Sequence, residues 1–402
     1  MDVAQQASDL EYRQAGASPA RNRVAGGSET AGCAEGPCVV RYVGVSKSFD
    51  GQRLAIDDLN LDVRRGEFLT MLGPSGSGKT TSLMMLAGFE SFSAGDILLE
   101  GRSMRGVPPH RRNIGMVFQN YALFPHLTAT ENLAFPLLAR RMPKAEVAAR
   151  VRLALDMVQL SGLGERRPAQ LSGGQQQRIA VARALIYQPA LVLMDEPLGA
   201  LDKQLREQMQ LELKRIHARL GITFVYVTHD QAEALMISDR IAVFDRGRIQ
   251  QLAAPRQLYE APDSVFVARF LGETNCLSGL VREISADRCQ VALESGDVVW
   301  ATSAGGQQPG DRTVVCLRPE AVELGAHRHD GPNQFRAQVL ERIYLGDHVR
   351  LRLRVCSRED FLVRLHRTSQ LPPYDVGDLC VVRWQPEDCR ALPERDSVPT
   401  GD

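Results

Sequence analysis

Leu72-Gly73-Pro74-Ser75-Gly76-Ser77-Gly78-Lys79-Thr80-Thr81 is the stretch that decides how this chain folds. From Gly73 to Thr80 it fits the pattern G-x-x-x-x-G-K-[ST]. An apolar run, Phe68 to Leu72, precedes it, and a helix-like pattern, Ser82 to Ala87, follows. In a strand, glycine loop and helix arranged this way, backbone N–H groups wrap a polyphosphate and the helix contributes its positive N-terminal end. Lys79 then reaches the β- and γ-phosphates, and the Thr80 hydroxyl is placed to ligate Mg²⁺. A Gly/Ser-rich turn ahead of an ordinary helix satisfies the bare pattern too; the correct flanks favour the phosphate loop.

The whole chain bounds the answer. Its 402 residues leave room for roughly two or three domains. A hydrophobic fraction of 44% suits a globular protein with a sizeable core. Basic and acidic residues balance at 48 each, without the basic surplus that marks a nucleic-acid binder, so no nucleic-acid partner is expected. None of the eight cysteines lies between Cys38 and Cys276, and no C-x-x-C pair occurs, which argues against a zinc or redox motif. Residues 1–37 are rich in Ala, Gly, Ser and Gln, lack the features of a secretory signal, and read as a disordered tail. No run of about 18 apolar residues occurs, so no segment is expected to span a bilayer.

Outward from the loop, Val39 to Phe49 and Leu54 to Val63 read as an antiparallel hairpin turning at Gly51. Phe49, at a strand end, suits stacking on a nucleotide base, with a plain core aromatic as the alternative. Short strands follow around Asp96 to Leu99 and Ile114 to Phe118, the second ending at Gln119, a polar residue suited to a metal or water contact, with a capping or turn residue as the alternative. Thr128 to Leu160 is helical in pattern, opened by the capping box Thr128/Glu131. Leu171-Ser172-Gly173-Gly174-Gln175 leads into a helix from Ile179 to Tyr187 and offers a second anion site at a helix N-terminus, with a plain helix N-cap as the alternative. The apolar run Leu191 to Met194 reads as a buried parallel strand ending in Asp195-Glu196, at the strand end where α/β sheets place ligands. Asp195 suits Mg²⁺, and Glu196 suits a general base on the attacking water. Asp202 caps the helix Lys203 to Leu220, and the strand Thr223 to Thr228 delivers His229 to the same crevice. A hairpin around Asp245-Arg246-Gly247 closes this part. From Cys276 onward the pattern becomes short strands and turns, expected to form a small β-barrel of the oligonucleotide-binding type. There Arg350, Arg352 and Arg354 read as the solvent face of one half-buried strand, and the loop His327-Arg328-His329 is assigned no metal.

Taken in order, these motifs resemble the ATP-binding subunits of ATP-binding-cassette (ABC) transporters over about Val39 to Arg269. The resemblance implies an α/β fold: a phosphate-loop ATPase core with antiparallel-β and helical subdomains, followed by a C-terminal barrel of the oligonucleotide-binding or TOBE type. The expected organisation is a tail at 1–37, a nucleotide-binding domain at 38–270 with its helical subdomain at about 120–187, and a regulatory barrel at 276–390. It implies ATP and Mg²⁺. Phe49, Gly73, Pro74, Ser75, Gly76, Ser77, Gly78, Lys79, Thr80, Thr81 and Asp202 contact the nucleotide. Ser172, Gly173, Gly174 and Gln175 close on it from a second copy of the chain. Thr80, Gln119 and Asp195 hold Mg²⁺, and Glu196, His229, Gln119 and Lys79 carry catalysis. Gly199 stands where many members have Ser.

The same resemblance implies ATP hydrolysis that drives transport at the cytoplasmic face of the plasma (inner) membrane, with a homodimer of ATP-binding subunits, two integral-membrane permease subunits and an extracytoplasmic solute-binding protein. A groove near Gln119, including Tyr121 and Phe124, is expected to receive a permease helix. Leu317-Arg318-Pro319-Glu320 and Tyr344-Leu345-Gly346-Asp347 look like recurring turns of importer barrels, and Leu271-Gly272-Glu273-Thr274-Asn275 looks most like the polyamine importers. Asn120 to His126 is shared with ferric, sulfate and sugar relatives, so those solutes, and phosphonate, are the alternatives. A soluble ABC ATPase acting in translation or repair is disfavoured by the single cassette and barrel tail. A non-catalytic regulatory cassette is disfavoured by Glu196 and His229.

Overall fold

Alternation of apolar and polar residues builds the first sheet. β1 (Cys38–Ser48) and β2 (Leu54–Arg64) pair antiparallel, burying Leu59, Leu61 and Val63 while Asn60 and Asp62 turn outward. In this computed structural model, which describes residues 37–199, 201–325, 331–366 and 374–394, the hairpin leads directly to β3 (Phe68–Leu72), every residue of which is buried. After the phosphate loop come α1 (Lys79–Ala87), β4 (Ala94–Leu99), β5 (Arg102–Ser103) and β6 (Ile114–Val117). The helical region holds α2 (Ala129–Ala139), α3 (Lys144–Met157) and α4 (Gly173–Leu185). The core is completed by β7 (Leu191–Asp195), α5 (Lys203–Leu220), β8 (Thr223–Thr228), α6 (Gln231–Ile237), β9 (Arg240–Asp245), β10 (Arg248–Ala253), α7 (Pro255–Glu260) and α8 (Val265–Phe270).

The six-stranded sheet has the order β10-β9-β3-β8-β7-β6, parallel except for the edge strand β10. β3, β7 and β8 are buried throughout because both faces are covered, which is why they read as unbroken apolar runs. On one face, Leu69, Met71, Leu193 and Val225 pack with α1 and the antiparallel sheet β2-β1-β4-β5. On the other, Phe68, Val192, Phe224 and Tyr226 pack on α5 through Met209, Leu213 and Ile216. The parallel order brings the C-terminal ends of β3, β6, β7 and β8 to one edge, and that edge carries the site.

Helix ends follow local chemistry. Thr128 Oγ1 accepts from Glu131 N and the Glu131 carboxylate accepts from Thr128 N, the expected capping box. The stretch from Thr128 to Leu160, helical in pattern, folds as two helices. Arg141 adopts a left-handed φ of 59° and Pro143 sits at the N-cap of α3, so the chain turns between them. Among the described residues, no helix is long and apolar enough to cross a membrane.

Beyond α8, ten strands follow among the described residues: β11 (Asn275–Ser285), β12 (Arg288–Leu293), β13 (Val298–Ser303), β14 (Arg312–Leu317), β15 (Glu323–Gly325), β16 (Asn333–Tyr344), β17 (His348–Val355), β18 (Arg358–His366), β19 (Leu379–Trp384) and β20 (Cys389–Pro393). A closed barrel of five strands, β11-β12-β13-β20-β14, is present, and it is joined by a second sheet, β15-β19-β16-β17-β18. The two share one core through Val291, Val315, Phe335, Leu353, Phe361 and Trp384. The last barrel strand, Cys389–Pro393, extends past the expected end at 390 and closes the barrel by pairing with β14 and β13. On β17, Val349, Leu351, Leu353 and Val355 are buried, while Arg350, Arg352 and Arg354 pair with Glu273, Glu341 and Glu359. That is the solvated face expected of them. The tail residues 1–36 and the loop His327-Arg328-His329 lie outside the described residues.

Candidate active site

The loop from Gly73 to Thr80 is shaped by backbone approach. A Cβ on Gly73 would stand 2.4 Å from the Phe244 carbonyl oxygen, so any side chain there collides with β9. Gly78, the N-cap of α1, has a left-handed φ of 100° and faces Ile56 and Ala55 of β2. Ser77 O accepts from Gly247 N at 3.0 Å, tying the loop to the β9–β10 turn. Pro74 is half-buried, Ser75 and Gly76 are exposed, and Ser77 and Gly78 are buried, so the loop opens at its crest and is anchored at its base. Lys79 is 5% exposed; its Nζ donates to the carbonyls of Gly73 and Pro74, both at 2.8 Å. Burial lowers its pKa, while the negative charge of Glu196 and Asp195 pulls the other way. Thr81, half-buried, follows Thr80 in the first turn of α1.

Thr80 Oγ1 donates to Asp195 Oδ1 at 2.9 Å, joining the start of α1 to the end of β7. Burial raises the Asp195 pKa; the Thr80 hydrogen bond and Lys79 offset part of this, and Glu196 adds to it. Glu196 N donates to Val227 O of β8 at 3.0 Å, and Glu196 takes a φ of 43°, in the left-handed region uncommon for a residue with a side chain. That geometry turns the chain sharply at the strand end. It brings Glu196 Oε1 to 3.1 Å from His229 Nδ1, so an imidazole protonated at Nδ1 donates to the carboxylate. Lys79, Thr80, Asp195, Glu196 and His229 are thereby assembled from three strand ends: a cation and a hydroxyl beside one buried carboxylate, and a second carboxylate backed by an imidazole.

Other sequence-selected residues lie apart from this cluster. Gln119 is exposed, two positions past Val117, which pairs in register with Met194; it shares the edge but has no hydrogen bond to Thr80 or Asp195. Phe49 is 65% exposed with the Lys47 ammonium 4.7 Å from its ring centre, so it is a surface ring and not a core aromatic. Ser172 caps α4: its hydroxyl accepts from Gln175 N, and the Gln175 side chain accepts from Ser172 N at 2.9 Å. Ser172 and Gly173 are exposed, whereas Gly174 packs against Leu205 of α5. Asp202 caps α5 by accepting from Leu205 N at 2.9 Å; Ala200, two positions before it, lies outside the described residues.

The loop after Gln119 departs from expectation. Tyr121 is 7% exposed and packs in the core below the sheet, so it is no part of an open groove. Phe124 packs against Phe135 of α2 as a tilted ring pair with centroids 4.6 Å apart. Two supporting groups escaped the sequence reading. Arg112, buried, donates to the carbonyls of Met85 and Leu86 at the end of α1 and to those of Met104 and Val107. Glu233, one turn past His229, accepts from Tyr226 Oη and Thr228 Oγ1 beneath the His229 backbone. Neither has a sequence signal beyond being one charge among many; both owe their role to burial.

Comparison with known proteins places this geometry. The ABC transporter family model matches residues 56–199 and the TOBE domain model residues 315–392. The "Spermidine/putrescine import ATP-binding protein PotA" of Rubrobacter xylanophilus is 46% identical over 358 residues, covering 89% of this chain and 94% of that relative. The protein of the same name from Pseudomonas aeruginosa is 44% identical, covering 87% and 97%. Among solved structures, cbiO1 of Clostridium perfringens, part of the ABC transporter complex cbiONQ, is 26% identical with a TM-score of 0.52, covering 58% of this chain and 92% of that one. With relatives this similar matched over nearly their whole length, and with the phosphate loop, the acidic strand end and the histidine assembled on one sheet edge, the chain belongs to the ATP-binding subunits of the ABC transporters.

Proposed function

We propose that the chain hydrolyses ATP to energise polyamine import through a separate permease. The observation that carries this reading is the joining of Thr80 to Asp195 beside the Glu196–His229 couple. The solute follows the spermidine/putrescine import relatives. In this reading residues 38–270 form the ATPase domain, 120–187 its helical subdomain, and 276–390 a regulatory barrel.

Lys79 holds the β- and γ-phosphates at the base of the loop. Glu196 accepts the proton of the attacking water, and His229 orients the Glu196 carboxylate and faces the γ-phosphate. Thr80 and Asp195 fit Mg²⁺, with Gln119 completing the set from the same edge. Among the described residues no three-ligand acidic or histidine cluster exists, and Mg²⁺ suits that, because it draws its remaining ligands from phosphate and water. Bound there, Mg²⁺ supplies positive charge to the phosphate oxygens. The exposed N-terminus of α4, with Ser172 and Gly173, closes on the nucleotide from a second copy, while Phe49 offers its open face to the base.

The membrane partners are two permease subunits fed by a solute-binding protein, which places the chain at the cytoplasmic face of the membrane. Exposed Phe89, with its ring 5.8 Å from that of Phe118, supports a docking face near Gln119, and Phe135 and Leu138 leave part of α2 exposed as well. The test is reconstitution of the full chain with its permease in vesicles. ATP hydrolysis is expected to rise when receptor loaded with spermidine or putrescine is added. Stimulation by a ferric, sulfate or sugar receptor instead removes the polyamine assignment; hydrolysis indifferent to any permease removes the transport assignment.

A further inference from the structure

We propose that Cys276 and Cys316 form a peroxide-sensitive dithiol site at the seam between the last helix of the ATPase domain and the barrel. The two residues are direct partners across the antiparallel pair β11·β14, and their Sγ atoms lie 3.9 Å apart. Directly opposed residues on antiparallel strands have Cα atoms about 4.5–5.5 Å apart, inside the span of about 4.4–6.8 Å that a disulfide bridges. Side-chain rotation alone therefore closes the gap.

The surroundings select this pair among the cysteines. Arg269 of α8 donates Nε–H to Cys276 Sγ at 3.4 Å. Cys276 lines an open cavity of about 320 Å³ with Arg269, Thr274, Arg358 and Asp360, so a small oxidant reaches it, whereas Cys316 is 5% exposed behind it. The Cys316 thiol and the Arg269 guanidinium lower the pKa of Cys276. Donation to Cys276 and burial raise that of Cys316. One sulfur thus faces the cavity and a guanidinium N–H while the other is a shielded thiol beside it, the arrangement of an attacking and a resolving cysteine. The two guanidinium groups stabilise a sulfur anion and oppose a soft metal cation at the same place.

The chemistry balances with hydrogen peroxide as oxidant. The Cys276 thiolate attacks one peroxide oxygen and the O–O bond breaks. Hydroxide leaves and takes a proton from solvent as water, and Cys276 becomes a sulfenic acid. Cys316, giving its proton to the departing hydroxide, then attacks Cys276 Sγ; the S–O bond breaks, the S–S bond forms and a second water leaves. Two thiols and one peroxide yield one disulfide and two waters, and a cellular dithiol reverses the step by exchange. Oxidation leaves Arg269 facing a neutral disulfide sulfur that can no longer ionise, next to the carbonyl of Ala268 that Arg318 of the barrel grips at 2.9 Å.

The test uses the full chain treated with graded hydrogen peroxide, digested without reductant and mapped by mass spectrometry. The Cys276–Cys316 linked peptide is expected at the lowest peroxide doses and is expected to vanish with dithiothreitol. Cys276 should be oxidised about tenfold faster than Cys356. In C316S, dimedone should trap a sulfenic acid at Cys276. Cys276 remaining reduced while Cys356 oxidises, or oxidation of wild-type Cys276 without a link to Cys316, overturns the proposal. Both refuting outcomes are read on the wild-type chain and do not depend on a variant folding.

Discussion

Replacing Glu196 with Gln separates chemistry from structure at this site. The substitution keeps the side chain's shape and removes its ability to accept a proton. Loss of a positioned general base lowers turnover by roughly 10²–10⁴-fold, which corresponds to about 2.7–5.4 kcal/mol of barrier. The structural cost is small by comparison. The Glu196 side chain is 22% exposed and its partner His229 59% exposed, so the hydrogen bond between them is largely shared with water. Its loss is worth at most about 1 kcal/mol, or about 2–4 °C in Tm for a domain of this size. The left-handed φ at Glu196 is no harder for Gln than for Glu. The expected result is ATPase activity, measured by phosphate release, reduced at least about 100-fold, with Tm nearly unchanged, nucleotide binding retained and an ATP-dependent dimer persisting on size-exclusion chromatography. Activity within a factor of about three of wild type would refute Glu196 as the base, since that corresponds to well under 1 kcal/mol.

Three further outcomes follow from the same geometry. Gly73→Ala drives a methyl group into the Phe244 carbonyl; urea unfolding should show a loss of about 1–3 kcal/mol, and ATP binding should weaken with it. Asp195→Asn should raise stability at neutral pH while abolishing hydrolysis. Burial lifts the Asp195 pKa above its ordinary 3.8, so ionisation costs the folded state more than the unfolded one. The wild-type chain accordingly loses stability as pH rises from about that value through the folded pKa, and the advantage of the Asn variant should grow across the same window in urea midpoints. Arg318→Met removes donors to the Tyr259 and Ala268 carbonyls and a guanidinium stacked 4.1 Å from the Tyr259 ring. Calorimetry should show a loss of about 2–4 kcal/mol, with an unfolding midpoint lower by roughly 4–16 °C.

What the chain announces by itself is local. The phosphate loop, the capping residues Thr128, Ser172 and Asp202, the buried strands around Leu191 to Asp195 and Thr223 to Thr228, and the alternating β17 can be read from residues because short-range hydrogen bonding and burial dictate each. Glu196 and His229 could be named for a related reason: polar residues that end apolar parallel strands share one sheet edge. The tertiary structure decided what depends on distant partners. It buried Tyr121, which the aromatic-rich loop had placed in an open groove, because that loop folds back against β7 and α4. It turned Arg112 and Glu233 from anonymous charges into buried anchors for α1 and the His229 segment. It divided the C-terminal strands between a closed barrel and a second sheet, since strand partners such as β14 and β20 are set by long-range register and not by the pattern of either strand. It also set Cys276 opposite Cys316, 40 positions away in sequence. A motif specifies the chemistry its own backbone can present. Which side chains meet across the fold is settled only when the sheets choose their neighbours.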